Sequence, residues 1–195
     1  MDVVTYEEFV RKLFNITGTA AVDFTHAMLG LTTEIYELID ARDGVNALEE
    51  LGDLEFYLQA MLQVLEKEFG PAMYDEAARL EQILLKAFPQ ISTLPAHHVY
   101  PFLLNELQDI SKRWIGYGKA PSVPPLVIMA MAAAAVHAAS AVAVGRGNFE
   151  PDRIRRANVG KLLKRYNGMA FSQERAIKRD LGAERAVLDA AATAS

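Results

Sequence analysis

Leu29-Gly30-Leu31-Thr32-Thr33-Glu34-Ile35-Tyr36-Glu37-Leu38 and Leu48-Glu49-Glu50-Leu51-Gly52-Asp53-Leu54-Glu55-Phe56-Tyr57 carry one pattern twice. In each, apolar side chains recur at helical spacing and two carboxylates three residues apart lie beside them. Upstream, Phe24, Met28, Leu31, Ile35 and Leu38 make one buried stripe of a helix expected from Ala20 to Ala41. Downstream, Ala47, Leu51, Leu54, Leu58, Met61 and Leu65 alternate spacings of four and three, the pattern of a helix-packing seam. The short turn Arg42-Asp43-Gly44 joins them, with Asn46 and Glu49 as the expected cap pair, so the two helices form an antiparallel hairpin over 20–69.

At about 100° per residue, Glu34, Glu37, Glu50 and Asp53 lie roughly 60 to 120° from the apolar stripe of their helices, whereas Glu49 points almost opposite the seam. Twelve residues separate Glu37 from Glu50, enough to end one helix, turn and start the next, so both pairs meet near one end of the hairpin. Spacing alone fits a solvated acidic face as well as a metal site. Four carboxylates that close raise one another's pKa unless a cation neutralises them, and oxygen-only donors suit magnesium or manganese rather than zinc.

Outside the hairpin the chain reads as helix throughout. Thr5 and Glu8 form a capping box opening a first helix that ends near Phe14. A fourth helix is expected from about Pro71 to before Pro89, followed by a linker from Pro95 to Pro101 that holds His97 and His98. The fifth helix is expected from Pro101 to Ile115 and an alanine-rich sixth from Pro125 until Gly145 to Gly147; these form a second hairpin over 101–145 that echoes the first, Glu106 and Asp109 standing where Glu34 and Glu37 do. A basic seventh helix covers Pro151 to Tyr166, stopped by Asn167-Gly168, and Ser172 to Ala191 is expected to be one last helix. The fold class is therefore all-α, a single domain over 1–195 in which a degenerate second hairpin completes a four-helix core.

The chain has 195 residues, a net charge of −5 and no cysteine. No global field draws nucleic acid or an anionic membrane, thiolate chemistry and disulfides are excluded, and a cytoplasmic protein is expected. Pro124 to Val144 is uncharged over about the length of a bilayer crossing, but its alanine content, with His137 and Ser140 inside, reads as a core helix rather than a span.

The first two segments resemble the ExxE and ExxD signature of the MazG-like, all-alpha nucleotide pyrophosphohydrolases, a superfamily that includes dimeric dUTPases, dCTP pyrophosphatases and phosphoribosyl-ATP pyrophosphatase; Glu-Glu-Leu-Gly-Asp is the most specific part. The resemblance implies that Glu34, Glu37, Glu50 and Asp53 bind Mg2+, that Glu34 or Glu37 orients the attacking water, and that a nucleoside triphosphate is cleaved to monophosphate and pyrophosphate. Arg156-Ala157-Asn158-Val159-Gly160-Lys161-Leu162-Leu163-Lys164-Arg165-Tyr166 is similar to the asparagine-lysine-arginine helix of these proteins. It implies substrate contacts by Asn158, Lys161 and Arg165, which share one polar stripe within about 60° and would supply cations that an acidic chain otherwise lacks. Roughly a hundred residues separate the blocks, far more than in short members, and the second hairpin fills them, standing in for a partner subunit's hairpin. A homodimer stays open.

For the base, Trp114 and Tyr117 are candidates for stacking; His26 faces near the seam, where it could approach a substrate, but it and His137 read first as packing residues. A di-iron carboxylate bundle would need Glu-x-x-His pairs, which the chain lacks. The rival outside enzymes is a helical nucleotide- or metal-binding regulatory protein without turnover.

Overall fold

Thr5 opens the first helix of the computed structural model, which describes residues 5–14, 18–70, 80–143, 149–168 and 171–193. The Thr5 hydroxyl accepts from the Glu8 amide while the Glu8 carboxylate accepts from the Thr5 amide, and α1 (Tyr6–Leu13) buries Phe9, Val10 and Leu13. The helices that follow are α2 (Ala20–Asp40), α3 (Gly44–Phe69), α4 (Leu80–Ala87), α5 (Ala96–Tyr117), α6 (Pro125–Val142), α7 (Pro151–Tyr166), α8 (Gln173–Ile177) and α9 (Leu181–Thr193), with a 3-10 turn at Pro89–Thr93. Among the described residues there is no strand.

The principal pairings are α2 with α3 and α5 with α6; α2 also packs on α5, α3 on α6 and α2 on α6, so the two hairpins share one core. Phe24, Leu31, Ile35, Leu54, Met61, Leu103, Leu107, Ile128 and Met131 are fully buried there, each such side chain contributing roughly 2 kcal/mol of transfer free energy. A smaller cluster of Leu48, Ala157 and Leu188 ties α3 to α7 and α9. Helix α6 is long and apolar enough to cross a membrane by composition, yet it is packed against α5 and α4 and buries Ile128, Met131 and five alanines.

Four boundaries depart from the sequence expectation. The α3 cap is Asp43, whose carboxylate accepts from the Asn46 amide at 2.8 Å, so Asn46 lies in the first turn. Helix α5 begins at Ala96 and runs through Pro101, which costs one hydrogen bond to the carbonyl of His97; His97 and His98 are exposed in its first turn. Helix α6 stops at Val142, and Gly145 to Gly147 fall outside the described residues, as does the expected start of the fourth helix near Pro71. The tail is two helices, because Ser172 caps α8 and Asp180 caps α9 by accepting from the Ala183 amide at 3.0 Å. A run rich in helix formers had hidden that second cap.

One glycine sets the approach of α7 to the hairpin. A Cβ at Gly52 would stand 2.9 Å from the Asn158 Cβ, closer than packed atoms allow, and 3.3 Å from its Nδ2. Gly52→Ala is therefore expected to cost roughly 2 kcal/mol of overpacking and lower the melting temperature by about 5 °C. An unchanged melting curve would show that α7 retreats freely.

Candidate metal centre

Asp53 is the best-held carboxylate of the molecule's acidic group. One oxygen accepts from Asn158 Nδ2 at 2.7 Å and the other pairs with Lys161 Nζ, while Asn158 Oδ1 in turn accepts from the Tyr6 hydroxyl at 3.2 Å. The i, i+3 spacing puts Glu50 on the same face of α3, and the hairpin brings Glu34 across from α2. Glu34, Glu50 and Asp53 each present one oxygen within 4.8 Å of the others, and no other group of at least three His, Cys, Asp or Glu side chains converges in this way among the described residues. Glu37, one turn along α2, is exposed; it lines the same cleft but stands outside this triad.

The charges are left unbalanced. Burial, then a hydrogen bond to Glu34 and the negative charges of Asp53, Glu34 and Glu49 push the Glu50 carboxyl up to about 9 from an ordinary 4.5. Burial and the charge on Asp53 push Glu34 up to about 7. The Glu34–Glu50 hydrogen bond requires a shared proton, and a proton held between carboxylates at neutral pH occupies the place of a cation. A hard divalent ion fits this all-oxygen donor set.

Both carboxyls bind protons more tightly folded than unfolded, so their contribution to stability is complete below about pH 4.5 and is lost as pH rises toward 9. The metal-free protein should lose about 5 °C of melting temperature between pH 5 and pH 9, and magnesium should restore it at the alkaline end. Calorimetric scans with and without the ion check this; a flat metal-free profile would mean the carboxyls do not share a proton.

Helix α7 lies differently from the expectation that Asn158 and Lys161 reach a substrate. Both are buried, Lys161 completely; Asn158 packs where Gly52 leaves room on α3, and Lys161 Nζ also pairs with Glu49 at 3.4 Å. They hold Asp53 from behind. Glu49, expected to point almost opposite the seam, faces α7. Arg165 does line the cleft, and its guanidinium forks onto Glu184 of α9 at 3.2 and 2.8 Å. Arg179, which precedes α9, does the same at 3.4 and 2.7 Å and stands 3.8 Å from Glu49. Nothing in the sequence marked Arg179 or Glu184, because their partners are distant along the chain or lie across the unforeseen break between α8 and α9.

Trp114 is corrected as a stacking candidate. It is buried in the core, packed between Phe24 at 5.5 Å and Phe69 at 5.7 Å, and Tyr117 is exposed; neither lines the cleft. The aromatic wall is built from other residues: Phe14, His26, Phe56, Tyr57, Tyr166 and Phe171 enclose, with the carboxylates, a cleft of about 320 Å³. His26 is an exposed wall residue rather than a core one, stacked on Phe14 at 4.7 Å. Tyr57 lies on the backbone of α2 because Gly30 has no Cβ, which would otherwise meet the ring at 2.3 Å. Phe56 and Tyr57 stood inside the acidic segment and were legible as neighbours of the site; Phe14 and Phe171 were not.

No family model matches the chain, and neither a curated protein nor a solved structure does.

Proposed function

We propose that the chain is a magnesium-dependent nucleotide pyrophosphohydrolase of the MazG-like kind, converting a nucleoside triphosphate and water to the monophosphate and pyrophosphate. The observation that carries this reading is one cleft with three features: converging carboxylates of Glu34, Glu50 and Asp53, two arginines, and an aromatic wall. Such a cavity suits a molecule that is flat and apolar at one end and a metal-bound polyanion at the other.

Glu34, Glu50 and Asp53 would hold magnesium, with manganese as a chemically equivalent substitute. A divalent ion held there would supply neutralisation of phosphate charge and lower the pKa of the attacking water. Asn158 and Lys161 keep Asp53 in one orientation, so its remaining lone pairs face the cleft. Glu37 has no hydrogen-bond or ion-pair partner among the described residues and borders the triad, which makes it the better choice over Glu34 to orient the attacking water and accept its proton. The aromatic wall holds the base. In this reading α5 and α6 occupy, within one chain, the place of a second subunit's hairpin; their packing on α2 and α3 and the absence of any acidic residue on α6 support it.

Hydrolysis of a panel of nucleoside triphosphates with and without magnesium tests the proposal, with release of monophosphate and pyrophosphate as the expected result. No product from any nucleotide would leave a binding protein without turnover.

A further inference from the structure

Glu184 accepts from two arginines at once, and the way it does so leaves cationic donors to spare. Its carboxylate is buried, at 2 % exposure, and takes the Nε and Nη2 donors of both Arg165 and Arg179. One negative charge thus fixes two guanidiniums side by side. Like charges held together in a partly desolvated place cost free energy unless a further anion joins them. Each guanidinium keeps N–H donors for which no acceptor in hydrogen-bond range exists among the described residues, and both side chains line the cleft.

On the α7 to α9 side stand Lys161, Arg165 and Arg179, facing Asp53, Glu49 and Glu184. That count balances only while Asp53 serves Lys161 alone. Asp53 also belongs to the converging carboxylates, and Glu49 is shared between Lys161 at 3.4 Å and Arg179 at 3.8 Å. When Asp53 is committed to a cation, this side of the cleft has an excess of positive charge.

We infer that Arg179 is a phosphate-contacting residue and Glu184 a positioning residue, which together with Arg165 form a seat for a pyrophosphate group. The inference rests on the pyrophosphohydrolase reading and adds to it the residues that select a polyphosphate tail. The guanidinium donors that Glu184 does not take suit phosphate oxygens, and both arginines line the cleft that Glu34 and Glu37 also line. Substrates with a single phosphate would engage the carboxylates and the aromatic wall but leave one arginine without a partner.

The probe is inorganic pyrophosphate with saturating magnesium, titrated calorimetrically into the full chain. Arg179→Ala should weaken this binding about 10- to 100-fold, the range of a lost charge-assisted hydrogen-bonding group, while Arg179→Lys recovers part of it. Lys178→Ala, which removes an equal charge from the adjacent exposed residue, should change nothing. For Glu184→Gln, magnesium affinity measured without pyrophosphate should stay as in the parent while pyrophosphate affinity falls and KM rises more than kcat drops. A merely structural Glu184 would lose both affinities together. Arg179→Ala binding pyrophosphate as tightly as Lys178→Ala does would overturn the inference and leave the hydrolase reading standing. Absence of both pyrophosphate binding and nucleotide hydrolysis in the parent protein would remove both.

Discussion

Glu50→Gln should reduce magnesium-dependent hydrolysis by more than about 100-fold, beyond what the loss of an outer-shell partner of a metal costs. The amide keeps the shape of the side chain but removes the charge that a divalent ion needs, and Glu50 has the most strongly raised pKa of the converging carboxyls. The same substitution should stabilise the metal-free protein. In the parent, ionisation of Glu50 adds a third negative charge to those of Glu34 and Asp53 as pH rises; in the variant it cannot. The melting temperature at pH 8 should therefore rise by a few degrees, lose most of its pH dependence and stop responding to magnesium. Turnover at parental rates would move the site elsewhere, and a lower melting temperature would show that Glu50 packs as a hydrogen-bond partner rather than as a source of repulsion.

Lys161→Ala should act mainly on stability. From sequence this lysine belonged to a polar stripe aimed at phosphates, and its loss would have weakened substrate binding alone. Complete burial between Asp53 and Glu49 changes the expected result. Removing one partner of a buried ion pair leaves its carboxylates uncompensated, at a cost of about 3 kcal/mol once the partial exposure of Asp53 and Glu49 is allowed for. For a chain of this size that lowers the melting temperature by about 10 °C. Thermal denaturation checks the value. A variant that melts like the parent and differs only in KM would place Lys161 in the cleft after all.

The two substitutions separate the roles of neighbouring charges. On the proposed function Glu50 is expected to lower stability and to serve the site, and Lys161 to raise stability by holding Asp53. A protein holding several carboxylates within 4.8 Å sacrifices stability at that point, and the network of Lys161, Asn158 and Tyr6 behind Asp53 restrains the repulsion from opening the hairpin.

Local sequence was sufficient wherever one helix face carried the signal. The stripe from Phe24 to Leu38, the seam from Ala47 to Leu65, the capping box at Thr5 and the stop at Asn167-Gly168 all produced helices near their expected positions. Caps were less legible, since Asp43 competed with Asn46, and the Asp180 cap was masked by strong helix formers on both sides. For the site, the i, i+3 pairs located Glu50 and Asp53 correctly relative to each other. The same spacing on α2 linked Glu37 to Glu34, yet only Glu34 joins the triad, and Glu37, a turn further along α2, is exposed.

What the sequence by itself determined is the helical class and which acidic face exists, because both follow from residue spacing along single helices. Only the tertiary structure decided what each polar group of that region does. Asn158 and Lys161 share a stripe with Arg165, but the gap left by Gly52 admits Asn158, which with Lys161 holds Asp53, while Arg165, a turn beyond Lys161, emerges at the cleft. The break before α9 brings Glu184 and Arg179 beside it, and packing sends Trp114 into the core while Phe14, Tyr57 and Phe171 form the wall. The orientation of a side chain within its own helix is periodic and readable; which helix stands opposite, and how closely, depends on contacts between residues far apart in the chain.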